Sequence, residues 1–266
     1  MKKLLLILLI AFSVRYLTSE LLGGPFISFD HYDSMEYLYT SINFNVYPYF
    51  QQVYNYHHWY ERTPTYVLFL HIIHRELIIQ ILICSLSTVL MYKMNKLAGW
   101  IWCFYPQDII YSFQYGKEGL LIFCCIAAIY LLRYHRKWLL IAIPLIVIGF
   151  SSSANVVGSC QQTMSFGFMN NIWELWKPAF NTSIYYSKWF VYIQAIPYLI
   201  LMWYFLRNVN FFSTEIFLII LFTIVYSFMY SCQRYREPLM PLIILFVTNH
   251  LQKEKNTPYR YWGHYY

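Results

Sequence analysis

Apolar segments of about the length that crosses a membrane recur along the whole chain. The first covers residues 4–21, follows the charged start Met1-Lys2-Lys3 and is interrupted by Arg15. Because no small-residue cleavage site follows it, we interpret it as an uncleaved first span with its N-terminus inside. Only 12% of the 266 residues are charged. Soluble domains average about 25%, so the sequence predicts an all-α polytopic membrane protein.

The length of the chain sets the number of spans. Residues 1–266 are expected to form a single transmembrane bundle of about eight helices, at about 20 residues for each span. The predicted spans are residues 4–21, 76–92, 97–113, 119–132, 138–150, 189–206, 212–230 and 239–251.

Two longer stretches between these spans are too polar and too aromatic to cross a membrane. They are the first outer loop, residues 22–76, and the second outer loop, residues 151–187. Tyr and Trp side chains are favoured at the membrane–water interface. We therefore expect short helices lying along that interface over residues 33–42 and 66–74, and a further one around Trp173 in the second outer loop.

The lysines and arginines orient this bundle. The predicted inner side carries eleven basic residues: Lys2, Lys3, Lys93, Lys96, Arg133, Arg136, Lys137, Arg207, Lys253, Lys255 and Arg260. The outer side carries seven: Arg62, Arg75, Lys117, Lys177, Lys188, Arg234 and Arg236. Because the outer loops are much longer, their density of positive charge is lower, as the positive-inside rule requires. Both termini are predicted to be cytoplasmic, and the net charge of +7 is no sign of nucleic-acid binding.

Three carboxylates, Asp30, Asp33 and Glu36, stand within seven residues of the first outer loop, in a chain with only 12 acids. Asp33 and Glu36 are three residues apart and share a face if this stretch is helical. Asp33 then suits the N-cap of that helix. The alternative is a general base, because an interfacial carboxylate near a bundle cavity can accept a proton from a hydroxyl. We expect chemistry at this surface.

Cationic side chains are predicted on the same outer face. Arg62 either reaches towards lipid headgroups or orients a phosphate or carboxylate. Arg234 and Arg236 flank Tyr235 at an outer helix end. Two arginines among few other charges indicate an anion there, and a lipid-linked phosphate is the obvious candidate within a membrane. Lys117, at the outer end of the fourth span, is a further candidate for holding a phosphate.

Two acids belong to predicted spans. Glu118 begins the fourth span, where an acid stabilises the positive end of the helix dipole or assists the acidic stretch. Asp108 falls in the third span, and an acid at membrane depth is by default a candidate functional residue. We expect Asp108 to lie instead near the outer edge, in contact with water. His71 and His74 have few acids nearby, so we expect no cofactor, a divalent metal being the less favoured alternative.

Four short segments along residues 30–241, all on the predicted outer face, carry a recognisable set of motifs. They are Asp33-Ser34-Met35-Glu36-Tyr37-Leu38, Arg62-Thr63-Pro64-Thr65-Tyr66-Val67-Leu68-Phe69-Leu70, Tyr111-Ser112 through Lys117-Glu118-Gly119-Leu120, and Arg234-Tyr235-Arg236-Glu237-Pro238-Leu239-Met240-Pro241. In this order they resemble motifs of the GT-C superfamily of membrane glycosyltransferases, in the branch of the protein O-mannosyltransferases and aminoarabinose transferases. The chain departs from the pattern at Thr65, Val67 and Lys117, where Gly, Pro and a small residue are usual.

The resemblance implies an inverting glycosyltransferase with its active site on the outer face, in what we expect to be a bacterial inner membrane. The donor is a sugar linked to polyprenyl phosphate, and the acceptor is a glycan, a lipid or a protein. The family's first-loop Asp acts as base on the acceptor hydroxyl, a role that falls to Asp33, with Asp30 as the alternative. The residues implied in binding substrate and phosphate are Arg62, Lys117, Glu118, Arg234, Tyr235 and Arg236.

Two other functions stay open at this point. A glycan repeat-unit polymerase or ligase also places outer-loop arginines on a lipid phosphate, but it does not need the acidic stretch. A channel, flippase or assembly factor is expected to place polar groups near the midplane of the membrane. The polar residues predicted here gather instead at the outer face, which favours the transferase.

Overall fold

The computed structural model describes residues 2–22, 37–38, 41–42, 64–135, 168–176, 188–208, 214–227 and 237–256. Within these ranges 91% of the residues are helical and no strand occurs. The all-α prediction is therefore confirmed. The predicted span at residues 138–150 lies outside the described residues.

Ten helices make up the described part of the chain. They are α1 (Lys2–Leu22), α2 (Pro64–Ile72), α3 (Leu77–Met94), α4 (Lys96–Cys103), α5 (Pro106–Phe113), α6 (Lys117–Tyr134), α7 (Phe168–Trp176), α8 (Lys188–Arg207), α9 (Thr214–Ser227) and α10 (Met240–Asn256). Residues 37–38 and 41–42 are also helical. Helical residues thus occur within all three segments where short helices are predicted, and an interfacial position for them stays a prediction.

Length and hydropathy single out a few of these helices as candidate membrane spans. α1 and α3 are each long and apolar enough to cross a membrane. α5 and α6 pass the same test only together, as a pair bent by 120° at a short break. The described residues therefore hold two candidate spans, or three if the bent pair is one span, and this is fewer than the eight predicted.

The helix α1 lies at the edge of the bundle. One side of it packs against α3 and α5. The other side exposes leucines, namely Leu5, Leu6, Leu9, Leu17 and Leu21. An exposed apolar stripe on a helix of spanning length is typical of a surface that meets lipid.

Residues 97–113, predicted as one span, form two helices instead. α4 ends at Cys103 and α5 begins at Pro106. Pro106 lacks an amide hydrogen and would clash with a carbonyl one turn earlier, so a helix cannot run through it undisturbed. It is tolerated in the first turn of α5, where that hydrogen would have no partner. Helices of eight residues are about 12 Å long, too short to cross alone, so residues 97–113 do not form the one continuous spanning helix that was predicted.

The helices α3 and α4 pack side by side around a reversal at Asn95. The Asn95 backbone is extended, with φ −156° and ψ 124°. Its side-chain oxygen caps α4 by accepting hydrogen bonds from the amides of Leu97 at 2.9 Å and Ala98 at 3.2 Å. Its side-chain nitrogen donates to Asn249 Oδ1 at 2.8 Å. One residue thus ends a helix, starts the next and ties both to α10.

The close approach of α3 and α4 gives a stability prediction at Gly99. A Cβ added there would lie 2.7 Å from the Tyr92 nitrogen and closer still to its Cα. Because backbone cannot rotate away as a side chain does, Gly99→Ala forces the helices apart. We expect it to lower the free energy of unfolding by about 1–3 kcal/mol, the usual cost of overpacking, measured as a lower Tm in detergent. Leu97→Ala, at an exposed position of α4, is the control, and equal shifts in the two variants would contradict the prediction.

Most of the buried apolar side chains form one core shared by α3, α4, α6, α8, α9 and α10. Trp102 is fully buried in it. Its ring stacks on Tyr105 with centroids 5.4 Å apart, and its Nε1 donates to Ser87 Oγ at 2.9 Å. The core joins α3, α4 and α6 to the later helices α8, α9 and α10.

Candidate functional site

The structure describes Lys117 and Glu118 among the predicted site residues. The others, Asp30, Asp33, Arg62, Arg234, Tyr235 and Arg236, lie outside the described residues. Other parts of the four motif segments are described. They show which of these segments meet.

Three of the four motif segments contribute to one buried group of side chains. Tyr37 comes from the first, Tyr66, Val67 and Leu70 from the second, and Tyr115 from the third. We call these five residues the tyrosine cluster. The rings of Tyr37 and Tyr66 meet edge to face, with centroids 4.9 Å apart and planes at 86°. Such aromatic pairs contribute about 0.5–1.5 kcal/mol beyond the area they bury, so the cluster is a specific contact between distant parts of the sequence.

Gln80 of α3 connects the tyrosine cluster to the turn between α5 and α6. Its Oε1 accepts a hydrogen bond from the Tyr66 hydroxyl at 2.7 Å. Its Nε2 donates to the carbonyl oxygens of Ser112 at 3.2 Å and Gln114 at 2.6 Å. The last carbonyls of a helix have no partner within that helix, and Gln80 supplies one at the end of α5. A single buried amide therefore holds α2, α3 and the turn after α5 together.

The turn between α2 and α3 is fixed by a second tyrosine. His74 and Arg75 have φ values of 50° and 63°, in the left-handed region that costs about 1–2 kcal/mol for a residue other than glycine. The Arg75 amide donates to the Leu70 carbonyl at 2.8 Å, which closes the end of α2. The Tyr115 hydroxyl donates to the Arg75 carbonyl at 2.9 Å. These contacts hold a strained turn against the α5–α6 turn.

Lys117 and Glu118 form the first turn of α6, directly after that turn. Lys117 is 9% exposed, which is low for a lysine. The Glu118 carboxylate bends back over the helix start, with Oε2 2.6 Å from the place that a Cβ on Gly116 would occupy. An acid in the first turn is stabilised by the helix dipole. Gly116 leaves the space that this carboxylate uses.

The negative charge of Glu118 affects the pKa of Tyr66 in the tyrosine cluster. Burial and, after it, the negative charge of Glu118 raise the pKa of the Tyr66 hydroxyl well above its usual value. The hydroxyl therefore stays protonated at physiological pH and keeps donating to Gln80. Glu118 lies close enough to Tyr66 to act on its ionisation, so the second and third motif segments meet in charge as well as in packing.

A buried ion pair lies elsewhere in the bundle, between Arg15 of α1 and Asp108 of α5. The Arg15 guanidinium contacts Asp108 Oδ2 and donates to the Ala11 carbonyl at 3.0 Å and to Thr88 Oγ1 at 3.1 Å. The side chains of Arg15 and Asp108 are 0% and 1% exposed. The prediction that Asp108 is in contact with water is wrong, because α5 packs against α1 and α3 and buries this side chain.

The sequence held a signal for this pair. Arg15 is the one charge among residues 4–19, and Asp108 is the one charge of α5. Lone charges in apolar segments of a membrane protein tend to pair with one another. Treating the two as partners would have found the contact.

The described site brings a carboxylate, a lysine and tyrosine side chains together near the junction of α2, α3 and α6. The hydroxyls of Tyr66 and Tyr115 are hydrogen-bonded within the protein, to Gln80 and to the Arg75 carbonyl. No group of three or more His, Cys, Asp or Glu side chains that could hold a metal occurs among the described residues.

No protein-family model, curated protein or solved structure matches this chain in comparisons with known proteins.

Proposed function

We propose that the protein is an inverting glycosyltransferase that moves a sugar from a polyprenyl-phosphate donor to a glycan, lipid or protein acceptor. The reaction takes place at the outer face of a bacterial inner membrane, in a bundle of about eight spans with both termini in the cytoplasm. The observation that supports it best is the tyrosine cluster. It brings together parts of three motif segments that the family resemblance connects to one active site.

Asp33 and Arg62 are each close in sequence to a residue of the tyrosine cluster. Tyr37 comes four residues after Asp33, and Tyr66 comes four residues after Arg62. A stretch of four residues reaches at most about 14 Å. Since Tyr37 and Tyr66 are in ring contact, a base at Asp33 and a cation at Arg62 within reach of one substrate are compatible with the fold.

The proposed reaction uses these groups as follows. The oxygen of the acceptor hydroxyl attacks the anomeric carbon of the sugar, and Asp33 takes the proton from that hydroxyl. The bond between the anomeric carbon and the phosphate oxygen breaks, and its electron pair leaves with the polyprenyl phosphate. Attack opposite the leaving group inverts the anomeric centre. Arg62, Lys117 and the pair Arg234 and Arg236, with Tyr235 between them, stabilise the negative charge that develops on the phosphate.

Glu118 has a supporting part in this scheme. Its carboxylate lies at the start of α6 beside Lys117 and acts on Tyr66. We infer that it orients the substrate or one of the phosphate-binding cations. It is not the proposed base, because the family resemblance assigns that role to the first-loop Asp.

A second candidate function has one observation in its favour. The ion pair of Arg15 and Asp108 is buried between α1, α3 and α5, and transporters place polar groups at depth in the membrane. A flippase or assembly factor for lipid-linked sugars would use the same phosphate-binding arginines. It would move the lipid without breaking the bond between sugar and phosphate.

The two candidates and a polymerase are separated by one assay. Membranes containing the protein are incubated with polyprenyl-phosphate hexoses that carry a radiolabel in the sugar. Transfer predicts label in a product and release of an equal amount of polyprenyl phosphate, neither of which membranes without the protein give. Parallel membranes receive oligosaccharide diphosphate lipids, and consumption of these lipids alone would identify a polymerase or ligase. Label that crosses the bilayer but stays on the lipid would identify a transporter and overturn the proposal.

A further inference from the structure

We propose that Arg15 and Asp108 are positioning residues whose ion pair fixes α5 in the bundle and thereby sets the place of Lys117 and Glu118. The link to catalysis rests on the proposed function. The effect of the pair on the position of α5 does not rest on it, and hydrogen exchange tests that effect separately.

The energetics of the pair argue against a mainly stabilising role. Both side chains are buried, and Arg15 Nε and Asp108 Oδ1 have no hydrogen-bond partner among the described residues. Taking two charges out of water is costly, and replacing a buried pair by apolar side chains of similar size often leaves stability unchanged or raises it. Removing one partner alone leaves a buried charge and is strongly destabilising. We therefore attribute this pair to structural specificity, because it is favourable only in the one arrangement of α1 and α5 in which the two charges meet.

The helix α5 needs a device that fixes its position. It has eight residues, is about 12 Å long, and is bounded by the breaks at residues 104–105 and 114–116. Apolar packing has no direction of its own and would allow such a short helix to slide or turn. Asp108 is the only charged residue of α5 and meets the only charge among residues 4–19. A lone buried charge is favourable only beside its partner. It can therefore fix the position of its helix, as a single polar residue in the core fixes the register of a coiled coil.

The C-terminal end of α5 connects the position of this helix to the candidate site. Asp108 lies in the first turn, and Gln80 binds the carbonyls of Ser112 and Gln114 at the last. Arg15 and Gln80 therefore hold the two ends of one short helix. Gly119 of α6 lies against α5, since a Cβ on it would be 2.7 Å from the Tyr111 carbonyl oxygen. A shift of α5 would carry the first turn of α6 with it.

The test is amide hydrogen exchange of the full-length protein in lipid nanodiscs, read by mass spectrometry. The double variant Arg15→Met/Asp108→Val removes both charges and keeps the combined volume of the two side chains close to that of the wild type. We expect its Tm to equal or exceed that of the wild type. Exchange in peptides covering residues 109–120 is expected to rise by about tenfold or more, because local opening becomes easier. Exchange in α10, which supplies no hydrogen-bond partner to Arg15 or Asp108, is the internal control and should not change.

Unchanged exchange at residues 109–120 in the double variant would overturn the proposal. If the double variant does not accumulate, Arg15→Lys decides the question. Lysine keeps the charge but lacks the planar fork of the guanidinium, which contacts three partners here. Intermediate exchange at residues 109–120 is expected for Arg15→Lys, and wild-type exchange together with an unfolded double variant would show that the pair serves folding alone.

Kinetics connect this inference to the proposed function. If the pair positions Lys117 and Glu118, the double variant is expected to lower kcat with little change in KM, as for groups that act in the transition state. A merely structural pair would leave both constants unchanged at equal amounts of folded protein. A wild type without transferase activity, combined with faster exchange in the double variant, would refute the proposed function and leave the positioning role intact.

Discussion

Asp33→Asn is expected to abolish sugar transfer, with kcat falling by about 10²–10⁴-fold, the usual contribution of a general base. Asparagine has the shape of aspartate but cannot take the proton of the acceptor hydroxyl. It is also as good an N-cap as aspartate, so a purely structural Asp33 would tolerate the change. The variant therefore separates the catalytic interpretation of Asp33 from the helix-cap interpretation. The measurement is release of polyprenyl phosphate from labelled donor in membranes with equal amounts of protein.

Asp30→Asn is the matched control, since it makes the same chemical change three residues away. Transfer is expected to stay within about twofold of the wild type, as for a residue outside the transition-state contacts. Loss of transfer in Asp30→Asn, with activity kept in Asp33→Asn, would move the base to Asp30. Near-normal transfer in both variants would refute a first-loop aspartate as base and with it the proposed mechanism.

The fold is predictable from the sequence where long apolar runs end at charged or polar residues. The apolar segment at residues 4–21 forms the helix Lys2–Leu22 in the structure, and the one at 119–132 forms the helix Lys117–Tyr134. Hydropathy averaged over a window reports such helices well because every residue of the run contributes. The same averaging hides a break within a run, and residues 97–113 were therefore predicted as a single span across Pro106.

The partner of a lone charge is less evident from sequence than the need for a partner. Arg15 and Asp108 are 93 residues apart in the chain. Each is a lone charge in an apolar segment, which indicates a partner within the protein, but the periodicity of its own helix does not identify that partner. Asp108 was expected to be in contact with water. The direction of α5, which α4 and the turn at Phe104 and Tyr105 set, brings it inside instead.

The supporting contacts of the candidate site were not predictable from its motifs. Of the predicted site residues, Lys117 and Glu118 are described, and their convergence with Asp33, Arg62 and Arg236 stays a prediction. The roles of Tyr66 and Gln80 did not emerge, because each was one polar residue in an apolar stretch. A lone amide in a helix of spanning length carries the same signal as a lone charge, since its hydrogen bonds must be met within the protein.

Gln80→Leu is expected to be among the most destabilising single changes in the described part of the protein. It removes hydrogen bonds to the Tyr66 hydroxyl and to the carbonyls of Ser112 and Gln114. A buried group left without a partner costs about 1–3 kcal/mol, so the three together lower the free energy of unfolding by roughly 3 kcal/mol or more. The measurement is the Tm of purified protein in detergent, and sugar transfer should fall with it as the tyrosine cluster loosens.

Tyr66→Phe turns this prediction into a test of the contact itself. It leaves Gln80 Oε1 without its donor and is expected to lower the free energy of unfolding by about 1–3 kcal/mol. In the double variant Gln80→Leu/Tyr66→Phe neither group is left unpaired by the other, so its loss should be smaller than the sum by about 1 kcal/mol. Strictly additive losses would mean that Tyr66 and Gln80 do not contact each other. The tyrosine cluster would then lack its connection to the α5–α6 turn, and Glu118 would have to be held in the site by other means.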